Sequence, residues 1–262
     1  MFGIVRRLKA ATSNFIYYMG YQIEQYDEEH NADLRRARLL RQNNVSLVFD
    51  VGADTGTYSQ KLRRYGYQGK IISFEPVSSA NQQLQQRAAG DPLWTHQPIA
   101  LGSENRSLDI NISKKTRCSS FMELSERFVG NALRADVVST ERVRVATLDS
   151  LRGNLFSTSE RIHLKMDVQG YELEVLKGAA KTLTQVAVVE VEMSYVRIYD
   201  DQPLICDVIC FLNDCGFELV SLENIFLDRA TAHYNQADGL FVRAASSAVE
   251  RTTLTATESV QS

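Results

Sequence analysis

The stretch "VFDVGADTG" at residues 48–56 combines an apolar run with acids and glycines, which is typical of a strand that leads into a ligand-binding turn. Its spacing, Gly52-x-x-x-Gly56, lacks the middle glycine of the dinucleotide fingerprint G-x-G-x-x-G, the one that lets the backbone approach a pyrophosphate. Asp54 adds a carboxylate where a helix N-terminus would otherwise attract phosphate. The turn is therefore expected to hold a ligand that is uncharged or cationic at this point.

S-adenosylmethionine meets this requirement, because it is a nucleoside with a sulfonium and an amino-acid end and without phosphate. We expect Asp50, at the strand end, to face the ammonium of its methionine part, and the glycines to give the turn room. Glu75 ends the next apolar run, "IISFEP", where an acid can accept hydrogen bonds from both ribose hydroxyls. The predicted cofactor-binding residues are Asp50, Gly52, Asp54, Gly56 and Glu75.

Methyl transfer from a sulfonium is an in-line displacement, and its rate depends mainly on placing the acceptor oxygen behind the methyl group. An alcohol is a poor nucleophile until its proton leaves, so a base is expected beside the acceptor. Lys165 and Asp167 lie two apart in the run "RIHLKMDV" and therefore share one face of a strand, with Asp167 at its carboxyl end. We predict both as catalytic residues, although they could form only a structural ion pair beneath the cofactor.

The run "VAVVEVEM" supplies two further acids, Glu190 and Glu192, which also lie two apart and share a face. Glu192 is predicted to take part in catalysis by binding acceptor hydroxyls. Together with Asp167, the two acids could instead hold Mg²⁺, because three carboxylates suit this ion. No spacing requires a metal, and we predict none.

Histidine is the usual base near neutral pH, and His233 is a further catalytic candidate. It lies in the polar segment "DRATAHYNQADG", which we expect to form a loop able to fold over the site. An ordinary surface histidine is the alternative. His163 alternates with Lys165 and Asp167 along the same strand and is expected to be a core residue with a hydrogen-bond partner.

The segment "KKTRCSSFME" at 114–123 is the candidate lid over the acceptor. Its middle is small and polar, and its Phe121 and Met122 could cover an apolar face. A surface loop without function is an equal alternative. Tyr195 and Tyr199, from a later segment, could complete a polar pocket that suits a hydroxyl-rich acceptor.

The elements that must position these residues alternate between strand-like and helix-like segments. Seven runs are typical of the strands of one sheet, and they lie at 45–51, 70–75, 94–100, 161–168, 186–193, 217–222 and 237–244. "SLDINIS" and "ERVRVATL" alternate like half-exposed antiparallel strands. The pattern predicts an α/β fold with a doubly wound, mostly parallel seven-stranded sheet, in which ligands bind at the carboxyl ends of the strands.

The sequence divides into three parts. Residues 1–44 are predicted to form an N-terminal helical extension, 45–244 the ligand-binding domain, and 245–262, which are rich in Ser and Thr, a disordered tail. The first apolar stretch is too short for a membrane span, and no cleavage site follows it. The extension is expected to pack on the domain or to join two copies in a homo-oligomer, and a weak membrane-surface helix stays an alternative.

The composition of the chain limits the kinds of partner that it is expected to bind. A chain of 262 residues with a formal net charge of −3 is long enough for one large domain and is not basic, so a nucleic-acid partner is not expected. Its four cysteines show neither metal nor disulfide spacing, as a reducing cytoplasm permits, and the three in one helical segment are expected to be buried. We expect a cytoplasmic protein with a small-molecule or glycan partner and no transmembrane segment.

Several stretches, in this order, resemble the FkbM-type methyltransferases: "VFDVGADTGTYS", "IISFEP", "ATLDSL", "HLKMDVQGYELEVLKGA", "VVEVE" and "DGLFVR". The resemblance covers about residues 45–244, and its most specific part is K-x-D-x-x-G-x-E-x-x-x-L-x-G at 165–178. It implies a class I, Rossmann-like, S-adenosylmethionine-dependent fold that usually acts on hydroxyl groups, often of sugars or polyketide-like natural products.

Two positions depart from the pattern of that family. Gln169 stands where the family commonly has glutamate, and Asp54 stands where it commonly has asparagine. The first change removes a carboxylate beside the expected site, so a mechanism that relies on that acid is not expected here. The acceptor could also differ from that of other members.

The sequence thus predicts an S-adenosylmethionine-dependent O-methyltransferase that acts on a hydroxyl of a sugar, glycolipid or secondary metabolite. A nicotinamide-dependent oxidoreductase on a similar sheet is one alternative, against which the missing glycine and Asp54 argue. A non-catalytic binding module with the same fold is the other, because the Gln169 departure and the helical extension leave it open.

Overall fold

The computed structural model describes residues 26–128 and 136–244, so the expectations for residues 1–25 and for the 245–262 tail lie outside the described residues. Within these ranges the strands are β1 (Leu47–Val51), β2 (Lys70–Phe74), β3 (Trp94–Gln97), β4 (Ala100–Leu101), β5 (Arg106–Ser113), β6 (Val137–Ala146), β7 (Ile162–Met166), β8 (Val186–Ser194), β9 (Phe217–Asp228) and β10 (His233–Arg243). The helices are α1 (Ala32–Gln42), α2 (Thr57–Arg64), α3 (Ser78–Ala88), α4 (Glu172–Lys177) and α5 (Ile205–Asp214).

Seven of these strands form one sheet in the order β3–β2–β1–β7–β8–β10–β9. The first five strands are parallel to one another, whereas β10 runs antiparallel to both β8 and β9. The strand order reverses between β1 and β7, and the carboxyl ends of these two strands therefore flank the usual ligand crevice of such sheets. The predicted doubly wound, mostly parallel seven-stranded sheet is confirmed.

Helices cover both faces of the sheet. Every residue of β1 and of β7 is buried, which is why these strands are apolar on both faces. On one face Val48 packs in a cluster with Leu40 of α1, Leu62 of α2 and Leu84 of α3. On the opposite face the next residue, Phe49, packs in a cluster that includes residues of α4 and α5. The helix α1 is thus part of the core of this domain.

A smaller sheet of three strands, in the order β4–β6–β5, lies between β3 and β7 in the sequence. β5 and β6 pair antiparallel, as their alternation predicts, and β4 pairs parallel with β6. The candidate lid at 114–123 follows β5 directly. The backbone of Ser120 in this segment exchanges two hydrogen bonds with the backbone of Asn111 in β5.

The last two strands are longer than expected. β9 continues to Asp228 and β10 begins at His233, so the expectation of a polar loop around His233 is wrong. The two strands continue to pair up to His233 and Asp228. β9 is the edge strand of the sheet, and the first residues of β10 pair with β9 alone, so exposed positions there accept polar residues. This pairing overrides the weak strand preference of the segment.

The structure also bears on the expectations for the cysteines and for a transmembrane segment. Cys206 and Cys210 are exposed on α5, so the expectation that these thiols are buried is wrong. Among the helices of the described ranges, none is long and apolar enough to cross a membrane.

Candidate active site

A cleft with two lobes opens at the carboxyl ends of β1, β2 and β7. The apolar lobe is lined mainly by Phe74, Glu75, Pro76, Val77, Leu101, Ile110 and Phe121. The charged lobe is lined by Arg36, Tyr58, Lys61, Lys165, Glu190 and Asp238 among others. Gly52, Asp54, Arg117 and Asp167 line both lobes and form the junction between them. The site therefore joins a pocket for an apolar ring to a pocket for a charged group.

The two glycines of the turn are required by its geometry. Gly52 has a φ of +73°, and a Cβ added there would lie 1.9 Å from the carbonyl oxygen of Asp167. Gly56 has a φ of +83°, and a Cβ there would lie 2.7 Å from Leu84 and 2.9 Å from Trp94. Because only glycine permits this approach, the turn after β1 packs directly on the chain that follows β7.

Glu75 lies at the rim of the apolar lobe with both carboxylate oxygens bonded. The backbone N–H of Asp54 donates to Oε2 at 2.7 Å, and that of Val77 donates to Oε1 at 2.8 Å. Burial raises the pKa of Glu75 to about 7, against the effect of these two hydrogen bonds. The Asp54 carboxylate accepts a bond of 2.6 Å from the Thr116 hydroxyl, which fastens the candidate lid to the turn.

Asp50 lies beneath the turn rather than in the cleft. It is fully buried, and its Oδ2 accepts a hydrogen bond of 2.7 Å from Ser59. Its Oδ1 has no hydrogen-bond partner but lies 3.5 Å from Nζ of Lys165. Asp50 is not among the residues that line the two lobes. Its predicted contact with the ammonium of the cofactor stays a prediction.

Lys165 is a buried cation between two carboxylates. Its Nζ lies 3.5 Å from Asp50 and 3.7 Å from Asp167, and 5.2 Å from the centre of the Tyr58 ring. Burial alone would lower the pKa of Lys165, but the charges of Asp167 and Asp50 outweigh it and raise the pKa. Lys165 is therefore protonated at neutral pH and fixes the two acids rather than taking a proton.

A hydrogen-bonded chain runs from the cleft to β10. The Asp167 side chain, 37% exposed, accepts a bond of 2.7 Å from Nε2 of Gln169. The same nitrogen donates to Glu192 at 2.9 Å, and Gln236 donates to Glu192 at 2.7 Å. Burial and then the charge of Asp167 hold the pKa of Glu192 well above its usual range. Asp167 thus faces the cleft, whereas Glu192 lies behind it, on the other side of the Gln169 amide nitrogen.

A buried network joins α1 to β8 at the wall of the charged lobe. Arg36 of α1 binds both oxygens of Glu190, through Nε at 2.6 Å and Nη2 at 2.5 Å. Tyr58 donates to Glu190 at 2.6 Å and lies 2.8 Å from Nε2 of His163. Burial opposes ionisation of Glu190, but the charge of Arg36 outweighs it and lowers the pKa. His163 is thus a buried core residue, as predicted, and its hydrogen-bond partner is Tyr58.

Removal of Arg36 should destabilise the fold strongly. We expect Arg36→Met to lower the free energy of unfolding by about 3–5 kcal/mol, because Glu190 would stay buried without its main counter-charge. Arg38→Met is the matched control, since Arg38 lies on the same helix in an exposed ion pair with Glu28, and its loss should cost less than about 1 kcal/mol. Urea denaturation of both variants measures the difference. Equal effects would contradict this role of Arg36.

The predicted base His233 does not join this cluster. It is exposed at the start of β10, five residues before Asp238, which corresponds to roughly 17 Å along a strand. Its catalytic role stays a prediction. The candidate lid, by contrast, lies against the site, since Thr116 bonds to Asp54 and Ser120 donates a 2.7 Å bond to the carbonyl of Gln169.

Sequence reasoning missed several residues of the site. Arg36 lies outside the resemblance, and Tyr58 and Asp238 were not considered, although Asp238 lines the charged lobe and burial raises its pKa to about 7. The one available signal for Asp238 was its place at the start of the apolar run of β10. Within the described ranges, no group of three or more His, Cys, Asp or Glu residues could hold a metal ion.

The strand order and the cleft at the switch point define a Rossmann-like α/β domain of the class I methyltransferase type. The FkbM methyltransferase domain matches residues 50–219. The chain therefore belongs to the FkbM family of S-adenosylmethionine-dependent methyltransferases. No curated protein matches this sequence.

Solved structures with a similar arrangement are distant in sequence. The FkbM methyltransferase of Methylobacillus flagellatus KT is 16% identical, with a TM-score of 0.49, over 76% of this chain and 44% of that chain. The magnesium protoporphyrin IX methyltransferase of Synechocystis PCC 6803, which has S-adenosylmethionine bound, is 13% identical, with a TM-score of 0.43, over 90% and 97% of the chains. This chain thus spans less than half the length of the Methylobacillus protein.

Proposed function

We propose that this protein transfers a methyl group from S-adenosylmethionine to a hydroxyl of a sugar, glycolipid or secondary metabolite. The observation that carries the proposal is the pair of lobes joined at Gly52 and Asp167. A nucleoside with a charged amino-acid end matches these two lobes. The hydroxyl acceptor rests on the family resemblance and on the carboxylate at the junction.

The residues of the cleft fit the cofactor. The apolar lobe suits an adenine ring, and Glu75 at its rim keeps lone pairs for ribose hydroxyls beside its two backbone donors. The charged lobe offers both signs of charge for an amino-acid zwitterion. When bound, the cofactor supplies a methyl group on a positively charged sulfur. Asp54 at the junction favours that positive charge and disfavours a phosphate.

Asp167 is the proposed proton acceptor. It faces the cleft at the junction of the lobes, and its carboxylate is held by Gln169 on one side and by Lys165 on the other. The bound cofactor would supply the methyl group and leave as S-adenosylhomocysteine when its bond from sulfur to the methyl carbon breaks, and the Asp167 carboxylate would accept the proton that the acceptor hydroxyl loses. The protonated Lys165 cannot accept that proton, so Asp167 is the better base of the pair. In this proposal Glu192 does not take the proton, but helps to hold Gln169, which in turn holds Asp167.

The proposal is tested by incubating the purified protein with methyl-labelled cofactor and a panel of glycans, glycolipids and polyketide alcohols. The expected product carries the label on oxygen as a methyl ether. Label found only on nitrogen or carbon would contradict the O-methyl assignment. Binding of NADH without binding of S-adenosylmethionine would favour an oxidoreductase, and binding of neither would favour a non-catalytic module.

Glu75 should make cofactor binding depend on pH. Its pKa of about 7 means that it becomes protonated as the pH falls through neutrality, and a protonated carboxyl accepts fewer bonds from the ribose. We expect S-adenosylhomocysteine to bind roughly tenfold more weakly near pH 6 than near pH 8, with proton release on binding. Calorimetry in buffers of different ionisation enthalpy measures both quantities.

Glu75→Gln is the matched variant for this test. It keeps one acceptor oxygen and removes the titrating carboxyl at the ribose position, so its affinity should be lower than that of the wild type near pH 8 and should vary less with pH. The remaining variation would come from Asp238 of the charged lobe, whose pKa burial raises to about 7. A wild-type affinity that does not vary between these pH values would contradict the role of Glu75.

A further inference from the structure

Gln169 has an unusual set of contacts for a side chain at the mouth of a site. Its amide nitrogen donates to Asp167 at 2.7 Å and to Glu192 at 2.9 Å, and its amide oxygen accepts a 2.9 Å bond from the Tyr199 hydroxyl. Both amide hydrogens and the amide oxygen are thus used. The residue connects the end of β7, the end of β8 and the segment that follows β8.

The chemistry of these partners fixes the orientation of the amide. The Asp167 carboxylate only accepts hydrogen bonds, so the NH₂ group of Gln169 faces Asp167 and, from the same nitrogen, Glu192, while the amide oxygen faces the Tyr199 hydroxyl. The opposite orientation would place the amide oxygen against the Asp167 carboxylate with no hydrogen between them. The network therefore has one stable arrangement and holds the Asp167 side chain at one angle to the cleft.

The backbone of Gln169 is held as firmly as its side chain. Its backbone φ of +54° is in the left-handed region, which residues other than glycine rarely adopt. Ser120 of the candidate lid donates a 2.7 Å bond to its carbonyl oxygen. Such strain persists only when the surroundings determine the conformation, and it is common at functional sites.

A glutamate, which the family commonly has at this position, could not make the same contacts. It has at most one proton for two acceptors, and when ionised it would add a negative charge beside Asp167 and Glu192. Either a further proton would have to be taken up or the side chains would have to separate. Gln169 is the neutral side chain of the same length that can donate to both acids at once.

We propose that Gln169 is a positioning residue, which aims the Asp167 carboxylate at the acceptor hydroxyl through one amide nitrogen shared with Glu192. The inference rests on the proposed function, because the aim of Asp167 matters only if it takes the proton of the acceptor. Gln169 itself does not touch the reacting atoms in this mechanism. It acts through Asp167.

The test compares two variants, each of which removes one of the two amide donors to Glu192. Gln169→Met has a similar length and removes the bonds to both Asp167 and Glu192, whereas Gln236→Met removes only the 2.7 Å bond to Glu192. Carboxyl ¹³C spectra of the full chain with S-adenosylhomocysteine bound are recorded for each. Asp167→Asn and Glu192→Gln assign the two resonances.

We expect Gln169→Met to shift the resonances of both Asp167 and Glu192, and Gln236→Met to shift that of Glu192 alone. Gln169→Glu, which keeps the size of the side chain, should also shift both, and this variant serves if the methionine variant fails to fold. With an acceptor from the labelled-cofactor screen, Gln169→Met should lower kcat by about 10- to 100-fold and change the KM for the cofactor less than threefold.

An unchanged Asp167 resonance in Gln169→Met and Gln169→Glu would overturn the inference, and so would an unchanged kcat. Failure of the proposed function has a different signature, because the wild type would then either not bind S-adenosylhomocysteine or transfer the label only to nitrogen or carbon. Unchanged resonances in a protein that does bind S-adenosylhomocysteine would reject the role of Gln169 alone.

Discussion

Gly52→Ala is expected to abolish measurable binding of S-adenosylhomocysteine and to destabilise the fold. The new Cβ would lie 1.9 Å from the Asp167 carbonyl oxygen, a backbone atom that cannot move without shifting the end of β7. The left-handed backbone adds about 1–2 kcal/mol of strain for any residue with a Cβ. Overlap and strain together should lower the free energy of unfolding by about 3 kcal/mol or more.

Gly66→Ala separates the two causes. Gly66 has a φ of +90°, but a Cβ added there would meet nothing within 4 Å. This control should therefore show the backbone strain alone, with cofactor affinity unchanged. Urea denaturation and calorimetry of both variants make the comparison. Wild-type affinity in Gly52→Ala would show that the turn after β1 does not form the ligand site.

Asp167→Asn is expected to lower kcat by about 10²- to 10⁴-fold, the range typical for loss of a general base. The substitution keeps an oxygen that can accept from Gln169, so the geometry of the junction should survive. Lys165 keeps Asp50 as a partner at 3.5 Å. The affinity for S-adenosylhomocysteine should accordingly change less than threefold, and calorimetry together with initial rates measures both quantities.

Asp238→Asn provides the comparison for this second variant. Asp238 is another acid of the charged lobe, on β10, and burial raises its pKa to about 7, which would also suit a base. We expect its replacement to lower kcat much less than Asp167→Asn does, because Asp238 lines only one lobe and not the junction. A larger loss in Asp238→Asn would transfer the role of base from Asp167 to Asp238.

Local patterns explain which parts of the site could be predicted. The apolar runs and the glycine spacing are properties of neighbouring residues, and they place Gly52, Glu75 and Asp167 at the carboxyl ends of β1, β2 and β7. Sheet topology then brings these ends together. Sequence alone could therefore give the fold class and the location of the cleft.

Side-chain direction and distant contacts could not be predicted in the same way. Asp50 ends an apolar strand, yet it bonds to Ser59 and Lys165 beneath the turn, because alternation along a strand does not say how deep a side chain lies. Arg36 and Glu190 are 154 residues apart in the sequence, and only folding joins them. The role of Gln169 likewise depends on partners from two other segments.

The extent of β10 shows a further limit. Its first residues are polar and were expected to form a loop, but pairing with β9 makes them a strand. Pairing between distant strands is a tertiary effect that local preference does not contain. The position of His233 therefore could not be read from its neighbours in the sequence.

The most direct measurement is a calorimetric titration of the wild type and of Glu75→Gln with S-adenosylhomocysteine, with NADH as the competing ligand. If the cleft holds a nucleoside without phosphate, the wild type binds S-adenosylhomocysteine and not NADH. Glu75→Gln should then bind it about 10- to 100-fold more weakly near pH 8, since a bond to a charged group is lost. Equal affinity in the two proteins, or binding of NADH alone, would contradict this assignment of the site.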